Sequence, residues 1–429
     1  MSVKALKGFK DILPEEAVVW QRIESLARTL FARYGFSEIR VPILEKTDLF
    51  VRSIGEATDI VEKEMYTFVD RNGSSITMRP EGTAPVLRAF VEHSLHVQKP
   101  VQRLYTMGPM FRHERPQKGR LRQFHQISVE TLGADQPMVD AELMSMAWQL
   151  MTGLGLEVSL EMNSLGCPEC RPAYNTALLD FLETRAGALC EDCERRRKTN
   201  PLRVLDCKNE ACREQYQGVP ELPDHLCTAC DSHFAAVKKL LTSLQIPYKV
   251  NAFMVRGLDY YTRTTFELIT GDLGAQSAVG AGGRYDSLIG QLGGPKNMPG
   301  IGFAVGMERL VLLLQQKGQE QEDPGPDLFI VALGEKAGDE AFKLIHACRL
   351  TGLAAILDPA GRSLKNQMKQ AGKSGARFTL ILGEEELAKG IGVLRNMSAG
   401  EQQEIALGNK PKELAGTLAG MITAGRQDQ

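Results

Sequence analysis

No stretch of this chain approaches the roughly 18 consecutive apolar residues that a membrane-spanning helix needs, and the opening MSVKALKGFKDILPEE carries no apolar block of the secretory kind. Both absences predict a cytoplasmic protein. A net charge of -2 over 429 residues provides no global field for a polyanion, so any nucleic-acid contact has to come from local patches. Cysteine is absent from most of the chain: of nine, only Cys348 lies outside the segment from Cys167 to Cys230. In a reducing compartment, paired cysteines read as metal ligands before they read as disulfides. Two catalytic signatures are also missing. AGKSGA, around Lys373, looks like the end of a phosphate loop, but Gln367 stands where the first glycine would be. HERPQKGRLRQFH holds two histidines, yet Pro116 and Gly119 break the helical spacing of a zinc protease.

What the chain does have is length and 43% hydrophobic residues, enough for two or three domains with cores of their own. Near the start, Val18, Ile23, Leu26, Leu30 and Phe31 recur at helical intervals up to Gly35, which predicts a long amphipathic helix. SEIRVPIL follows as an expected short strand, with Pro42 marking an edge or interface position. MYTFVDRNGSSITMRPEGTAPVLRAFVEH reads as strand, Asn-Gly turn, strand, and a helix beginning near Thr83. From about Leu165 to Leu244 the texture changes to cysteine pairs, charged helical stretches and prolines, as in an insertion. Sheet signals return from TRTTFELITG to GIGFAVGMERLVLLLQQ. KGQEQEDPGPD is linker-like, and DLFIVALG, GLAAILDP and RFTLILG are strands of a small α/β domain.

The densest charge lies in FRHERPQKGRLRQFHQ, Phe111 to Gln126, where Arg112, Arg115, Lys118, Arg120 and Arg122 surround a single acid, Glu114. The flanking QRLYTMGPMFR and RQFHQISVETLG have strand character, so the basic run forms the tip of a β-hairpin. Guanidinium groups grip phosphate oxygens bidentately, and such a loop expects an anion; a solvated surface hairpin would carry the same charges. Gln126 and Glu130 share one face of the outgoing strand. RPEGTAP places Glu81 and Thr83 at a strand-to-helix junction, where they can meet a ligand ammonium or, for Thr83, simply cap the helix. VRGLDYYTRTTFE sets Arg256 beside Tyr260 and Tyr261, a combination suited to an anion and a polar ring, although a turn and strand explain it equally. VGAGGRYDSLI lets backbone approach a flat ligand closely, and GIGFAVGMERL puts Arg309 near a helix start, aimed at a phosphate or at solvent.

Four cysteine pairs remain: Cys167 with Cys170, Cys190 with Cys193, Cys207 with Cys212, and Cys227 with Cys230. Three have the two-residue spacing of tetrahedral zinc sites, so two four-cysteine Zn2+ sites are arithmetically available. Reduced thiols in a helical insertion fit the pattern too. Nothing in the sequence selects the pairing.

Together these segments resemble class II aminoacyl-tRNA synthetases, and specifically the histidyl-tRNA synthetase family, over nearly the whole chain. The first helix and the RVP strand look like motif 1, which forms a dimer interface; FRHERPQKGRLRQFHQ looks like motif 2, and GIGFAVGMERL like motif 3. RGLDYY and AGGRYD look like the two histidine-specific signatures. The resemblance implies an α+β fold: an antiparallel sheet flanked by helices over 1–325, a helical cysteine-rich insertion at about 165–245, and an anticodon-binding α/β domain over 326–429. It implies that L-histidine and ATP, with Mg2+, form histidyl-adenylate before transfer to tRNA(His) by a homodimer. Arg112 would bind the α-phosphate, Arg256 would sit between the histidine carboxylate and that phosphate, and Arg309 would hold the γ-phosphate. Glu81, Thr83 and Gln126 would take the α-ammonium, and Glu130 with Tyr260 or Tyr261 the imidazole. The hairpin tip, Arg115, Gln117, Lys118, Arg120 and Arg122, would face the tRNA acceptor end. The basic RSLKNQMKQAGKSGAR would suit RNA backbone contact, as would a solvated helix face. The alternatives are a catalytically silent, histidine-sensing regulatory subunit of an ATP phosphoribosyltransferase, which has little use for three phosphate-directed arginines, and a zinc-dependent RNA-binding module.

Overall fold

The computed structural model describes residues 3–424 apart from 56–57, 208, 256, 259, 273–277 and 319–324. The chain divides into two compact units, 1–320 and 321–429.

In the first unit the strands are β1 (Ser37–Glu38), β2 (Leu44–Lys46), β3 (Tyr66–Val69), β4 (Ser75–Met78), β5 (Gln102–Phe111), β6 (Gln123–Leu132), β7 (Ser159–Ser164), β8 (Tyr248–Val250), β9 (Thr262–Ile269), β10 (Ala278–Arg284) and β11 (Gly300–Gly306). Eight of them form one sheet in the order β1-β5-β6-β11-β10-β9-β7-β8. Its six central strands pair antiparallel, and only the edge strands β1 and β8 run parallel to their neighbours. Alternation along the strands divides the sheet into two faces. Ile127 and Val129 of β6 and Ile301, Phe303 and Val305 of β11 are buried in the main core with Ile23 and Phe31 of helix Pro14–Arg33 and Leu150 of helix Pro137–Gly153. Gln126, Ser128 and Glu130 alternate with those β6 residues and therefore belong to the opposite face.

The segment SEIRVPIL is not one strand. β1 joins the large sheet, whereas β2 joins a separate sheet in the order β2-β4-β3, and the chain between them is irregular. Pro42 has no N–H to offer a ladder. The buried Arg79 guanidinium takes the free carbonyls instead, donating to Val41 O at 2.9 Å and Pro42 O at 3.4 Å while Nε reaches Pro109 O at 2.9 Å.

Residues 165–245 are helical apart from their turns, from Arg171–Glu183 to Thr228–Ser243. The last of these helices is tied to the sheet by a buried polar chain: His233 Nε2 lies 2.8 Å from Asp140, which in turn meets Arg284 Nη2 at 2.6 Å. Arg284, fully buried, is thus a structural cation whose desolvation is offset by a carboxylate partner.

The second unit has β12 (Leu328–Ala332), β13 (Ala355–Leu357), β14 (Phe378–Leu382), β15 (Ile391–Asn396) and β16 (Gln402–Ala406) in the order β13-β12-β14-β15-β16. The first three, all expected, are parallel; β15 and β16 add an antiparallel hairpin that the apolar runs had not signalled. Gln367, at the position of the missing phosphate-loop glycine, is buried: it accepts Ala332 N–H at 3.1 Å and donates to Ala332 O at 2.8 Å. On the same helix Lys365, Lys369 and Lys373 are exposed.

Candidate active site

A cavity of about 330 Å³ opens on the sheet face opposite the main core, and Glu81, Thr83, Arg112, Gln126, Tyr260, Tyr261, Tyr285 and Arg309 lie in its wall. At one end the residues are carboxyls and hydroxyls. Helix Thr83–Glu92 starts where the sequence predicts, with Gly82 at its N-cap position, and the preceding Glu81 takes its first N–H groups: the carboxylate accepts Thr83 N–H at 2.8 Å and Ala84 N–H at 2.7 Å. Thr83 itself does not cap the helix. Its hydroxyl donates to Glu130 Oε1 at 2.7 Å, and Tyr285 donates to Glu130 Oε2.

Glu130 is fully buried and lies behind the wall that Thr83, Tyr285 and Gly302 present to the cavity. Burial pushes its carboxyl up to about 8, against the pull of the Tyr285 and Thr83 hydrogen bonds. Glu81 is raised as well, again because burial disfavours its charge. Room for Glu130 comes from Gly302, its partner across the β6–β11 ladder: a Cβ at that position would stand 1.8 Å from Glu130 Oε2. The Tyr260 and Tyr261 rings pack at a tilt of 47° with centroids 4.7 Å apart, and Tyr260 meets Tyr285 edge-on at 5.7 Å. The phenol directly bonded to Glu130 is therefore Tyr285, from the AGGRYD segment, rather than Tyr260 or Tyr261. A sequence reading that followed the strand after the glycines for one more residue could have selected it. Gln126 shares the wall, and its Oε1 is buried without a hydrogen-bond partner among the described residues.

At the other end are guanidiniums. The base of the hairpin fixes Arg112, whose Nε donates to Pro80 O at 2.8 Å and whose plane lies over the Phe124 ring at 5.3 Å. Arg309, on helix Met307–Gln316, donates to Ala278 O. Burial lowers its pKa, and the nearby cations Arg120 and Arg112 lower it further, the electrostatic mark of a cation cluster that favours an anion. Helix Met307–Gln316 also contributes Glu308, which accepts His125 N–H at 2.9 Å and clasps β6.

The hairpin tip divides. Arg115, Gln117 and Lys118 are exposed, with the Lys118-Gly119 turn closed by Gln117 N–H to Arg120 O at 3.0 Å. Arg120 points inward, lining the cavity and pairing with Glu114 at 2.5 Å. Arg122 is folded down: its N–H donates to Gly8 O at 2.8 Å and its Nε to Glu114 O at 3.2 Å. Arg256 lies outside the described residues.

The cysteines collect into two groups, Cys167, Cys170, Cys227 and Cys230 in one and Cys190, Cys193, Cys207 and Cys212 in the other, with all four sulfurs of each within 4.8 Å of one another. The fold thereby selects one pairing from those that the spacing left open. Backbone N–H groups are aimed at the sulfurs, Cys227 N–H to Cys170 Sγ and Cys190 N–H to Cys212 Sγ, each at 3.1 Å. Such donors favour thiolates, and either group could hold a metal ion.

Residues 8–310 match the family described as histidyl-tRNA synthetase, and residues 327–417 match the anticodon binding domain. The chain belongs to the histidyl-tRNA synthetase family. The histidine–tRNA ligase of Desulfotalea psychrophila is 61% identical over 407 residues, 95% of this chain and 94% of that one. The Geobacter sulfurreducens histidine–tRNA ligase is 57% identical over 417 residues, 97% and 100% of the two chains. The solved apo S. aureus histidyl-tRNA synthetase has a TM-score of 0.82 at 38% identity, covering 97% of this chain and 100% of that one. An ATP phosphoribosyltransferase regulatory subunit/histidyl-tRNA synthetase from Bacillus halodurans has a TM-score of 0.64 at 19% identity, covering 89% and 99%, a likeness of fold alone. Membership of the histidyl-tRNA synthetase family makes the chain an ATP-dependent aminoacyl-tRNA synthetase.

Proposed function

We propose that the cavity activates L-histidine with ATP and Mg2+ and that the chain then transfers histidine to tRNA(His). The carrying observation is the meeting, in one cavity, of a buried carboxyl–hydroxyl end with a guanidinium end. A histidine carboxylate oxygen attacks the α-phosphorus, the bond to pyrophosphate breaks, and AMP later leaves as the terminal ribose hydroxyl of tRNA takes the acyl group. Two anions have to be held together for the first step, and fixed cations offset both their repulsion and the charge that develops. Arg112 serves the α-phosphate, Arg309 the γ-phosphate, and Arg256 the gap between carboxylate and α-phosphate. Mg2+ bound with the nucleotide supplies further positive charge at the pyrophosphate oxygens.

Gln126, Glu81 and Thr83 serve the α-ammonium of histidine, with Gln126 Oε1, buried and without a partner among the described residues, as the strongest support. Tyr260, Tyr261 and Tyr285 serve the imidazole, and Glu130 acts from behind by holding the Tyr285 and Thr83 hydroxyls. A pocket of this kind rejects analogues by leaving its own buried groups unpaired. The exposed Arg115, Gln117 and Lys118 face the acceptor end, with Arg120 and Arg122 at the base of that surface. Residues 1–325 form the catalytic domain with its insertion at about 165–245, and 326–429 the anticodon-binding domain, where Lys365, Lys369 and Lys373 suit RNA phosphates. The cytoplasm is the expected location. A homodimer is supported by exposed apolar side chains beyond Pro42: Leu44 at 48% and Phe68 at 46%. Each four-cysteine group holds Zn2+, since four convergent thiols with backbone donors fit a closed tetrahedral site.

Histidine-dependent ATP–pyrophosphate exchange tests the reading. Exchange that needs histidine is expected; histidine binding without exchange would make the chain a sensor instead.

A further inference from the structure

The insertion reaches the cavity wall at two points, and each point lies beside one cysteine group. Beyond the end of β7, Leu165 N–H donates to Arg263 O at 2.7 Å and Arg263 N–H to Gly166 O at 2.8 Å, so the pairing with β9 runs on to Gly166, the residue before Cys167. The residue after Cys170 is Arg171, which donates from Nη2 to Tyr261 O and from Nε to Leu165 O at 3.3 Å. From the second group, Arg203 lies between Cys193 and Cys207 in the chain and donates to Gly257 O at 2.7 Å. Gly257 and Tyr261 both line the cavity and bracket Tyr260. The insertion and this stretch also share one apolar cluster, in which Tyr260, Tyr261 and Tyr285 occur with Tyr174, Cys193 and Cys207.

The pieces that carry the second guanidinium are short. Helix Glu191–Thr199 has nine residues, Pro201–Val204 four and Glu210–Glu214 five. Segments of this length do not hold a helix alone, and packing or a cross-link has to hold them. A metal joining Cys190, Cys193, Cys207 and Cys212 fixes both ends of the loop bearing Arg203. One joining Cys167 and Cys170 to Cys227 and Cys230 fixes the turn that aims Arg171.

We propose that the metal-held insertion is a brace for the histidine pocket: Arg171 and Arg203 are positioning residues that clamp the Gly257 and Tyr261 carbonyls, and histidine affinity depends on metal occupancy. This rests on the synthetase and zinc readings above. Its larger effect falls on histidine, because Arg112 and Arg309 are anchored on Pro80 and Ala278 and not on the clamped carbonyls.

Histidine and ATP dissociation constants, with zinc content, are to be measured on full-length wild type, Arg171→Ala, Arg203→Ala, Arg171→Lys and chelator-stripped wild type. Arg171→Ala should weaken histidine by up to about tenfold, the full worth of a hydrogen bond to a charged group, and Arg203→Ala, whose bond is exposed, by a few-fold, with zinc unchanged and ATP affinity less affected than histidine affinity. Arg171→Lys should recover part of that loss and keeps the test open if the alanine variant fails to fold. Stripped protein should lose at least as much histidine affinity. Unchanged histidine affinity in both alanine variants, in protein whose wild type performs histidine-dependent exchange, overturns the brace and leaves the synthetase reading intact. Full histidine affinity in metal-free protein overturns the metal's part.

Discussion

The carboxyl end and the guanidinium end of the cavity solve opposite problems. At the first, both oxygens of Glu81 and both of Glu130 have donors, and the residues are nearly or wholly out of solvent. At the second, Arg112 directs one donor at a backbone carbonyl and retains others, since a guanidinium carries five. The first end is therefore preformed and intolerant of change in shape or in number of hydrogen bonds. The second is a set of anchored cations kept close together, whose mutual repulsion an incoming polyanion relieves. Selectivity for a small amino acid suits the former and binding of a flexible triphosphate suits the latter.

The contrast is sharpest at Glu130. Glu130→Ala should raise the KM for histidine about a hundredfold, because two buried hydroxyls lose their acceptor, while the KM for ATP stays within a few-fold. Equal losses for both substrates would break the separation of the two ends. Arg112→Ala should instead lower the pyrophosphate-exchange rate by about a hundredfold with histidine binding retained, since it removes charge stabilisation that matters most in the transition state. Single-turnover adenylation with histidine titration distinguishes the two variants.

A smaller effect is expected at the tip. Replacing Arg115 and Lys118 together by alanine should reduce aminoacylation only a few-fold, flatten its salt dependence, and leave pyrophosphate exchange unchanged. A fall in exchange would assign these side chains to ATP. A further contrast lies in stability. Glu130, raised from an ordinary 4.5 to about 8, keeps a proton in the folded chain that the unfolded chain has released, so its contribution is full below about 4.5 and is lost as pH rises through 8. Thermal melts of ligand-free protein should show this decline across that window, and Glu130→Gln should remove its share of it.

Much of the site was legible because its signals are local. The basic run between two strand-like segments could only be a hairpin, and the alternation of β6 put Gln126 and Glu130 on one face. The helix start at Thr83 was likewise marked by the residues around it. Non-local features were not legible. Tyr285 becomes a partner of Glu130, and Gly302 becomes the space that Glu130 fills, through pairings that join distant parts of the chain. Arg120 and Arg122 look alike in sequence, but Glu114 draws one into the cavity and Gly8 holds the other against the N-terminal segment.

The cysteines show the same division. By itself the sequence determined that eight thiols lie within one helical insertion, that three pairs have metal-ligand spacing, and that arginines crowd one hairpin. These are properties of neighbours along the chain, set by spacing and side-chain type. Which four thiols converge, which phenol meets the buried carboxyl, and which arginines face the cavity were decided by tertiary structure. Each depends on bringing together groups far apart in sequence, and only the packed sheet and helices hold such groups within hydrogen-bonding reach.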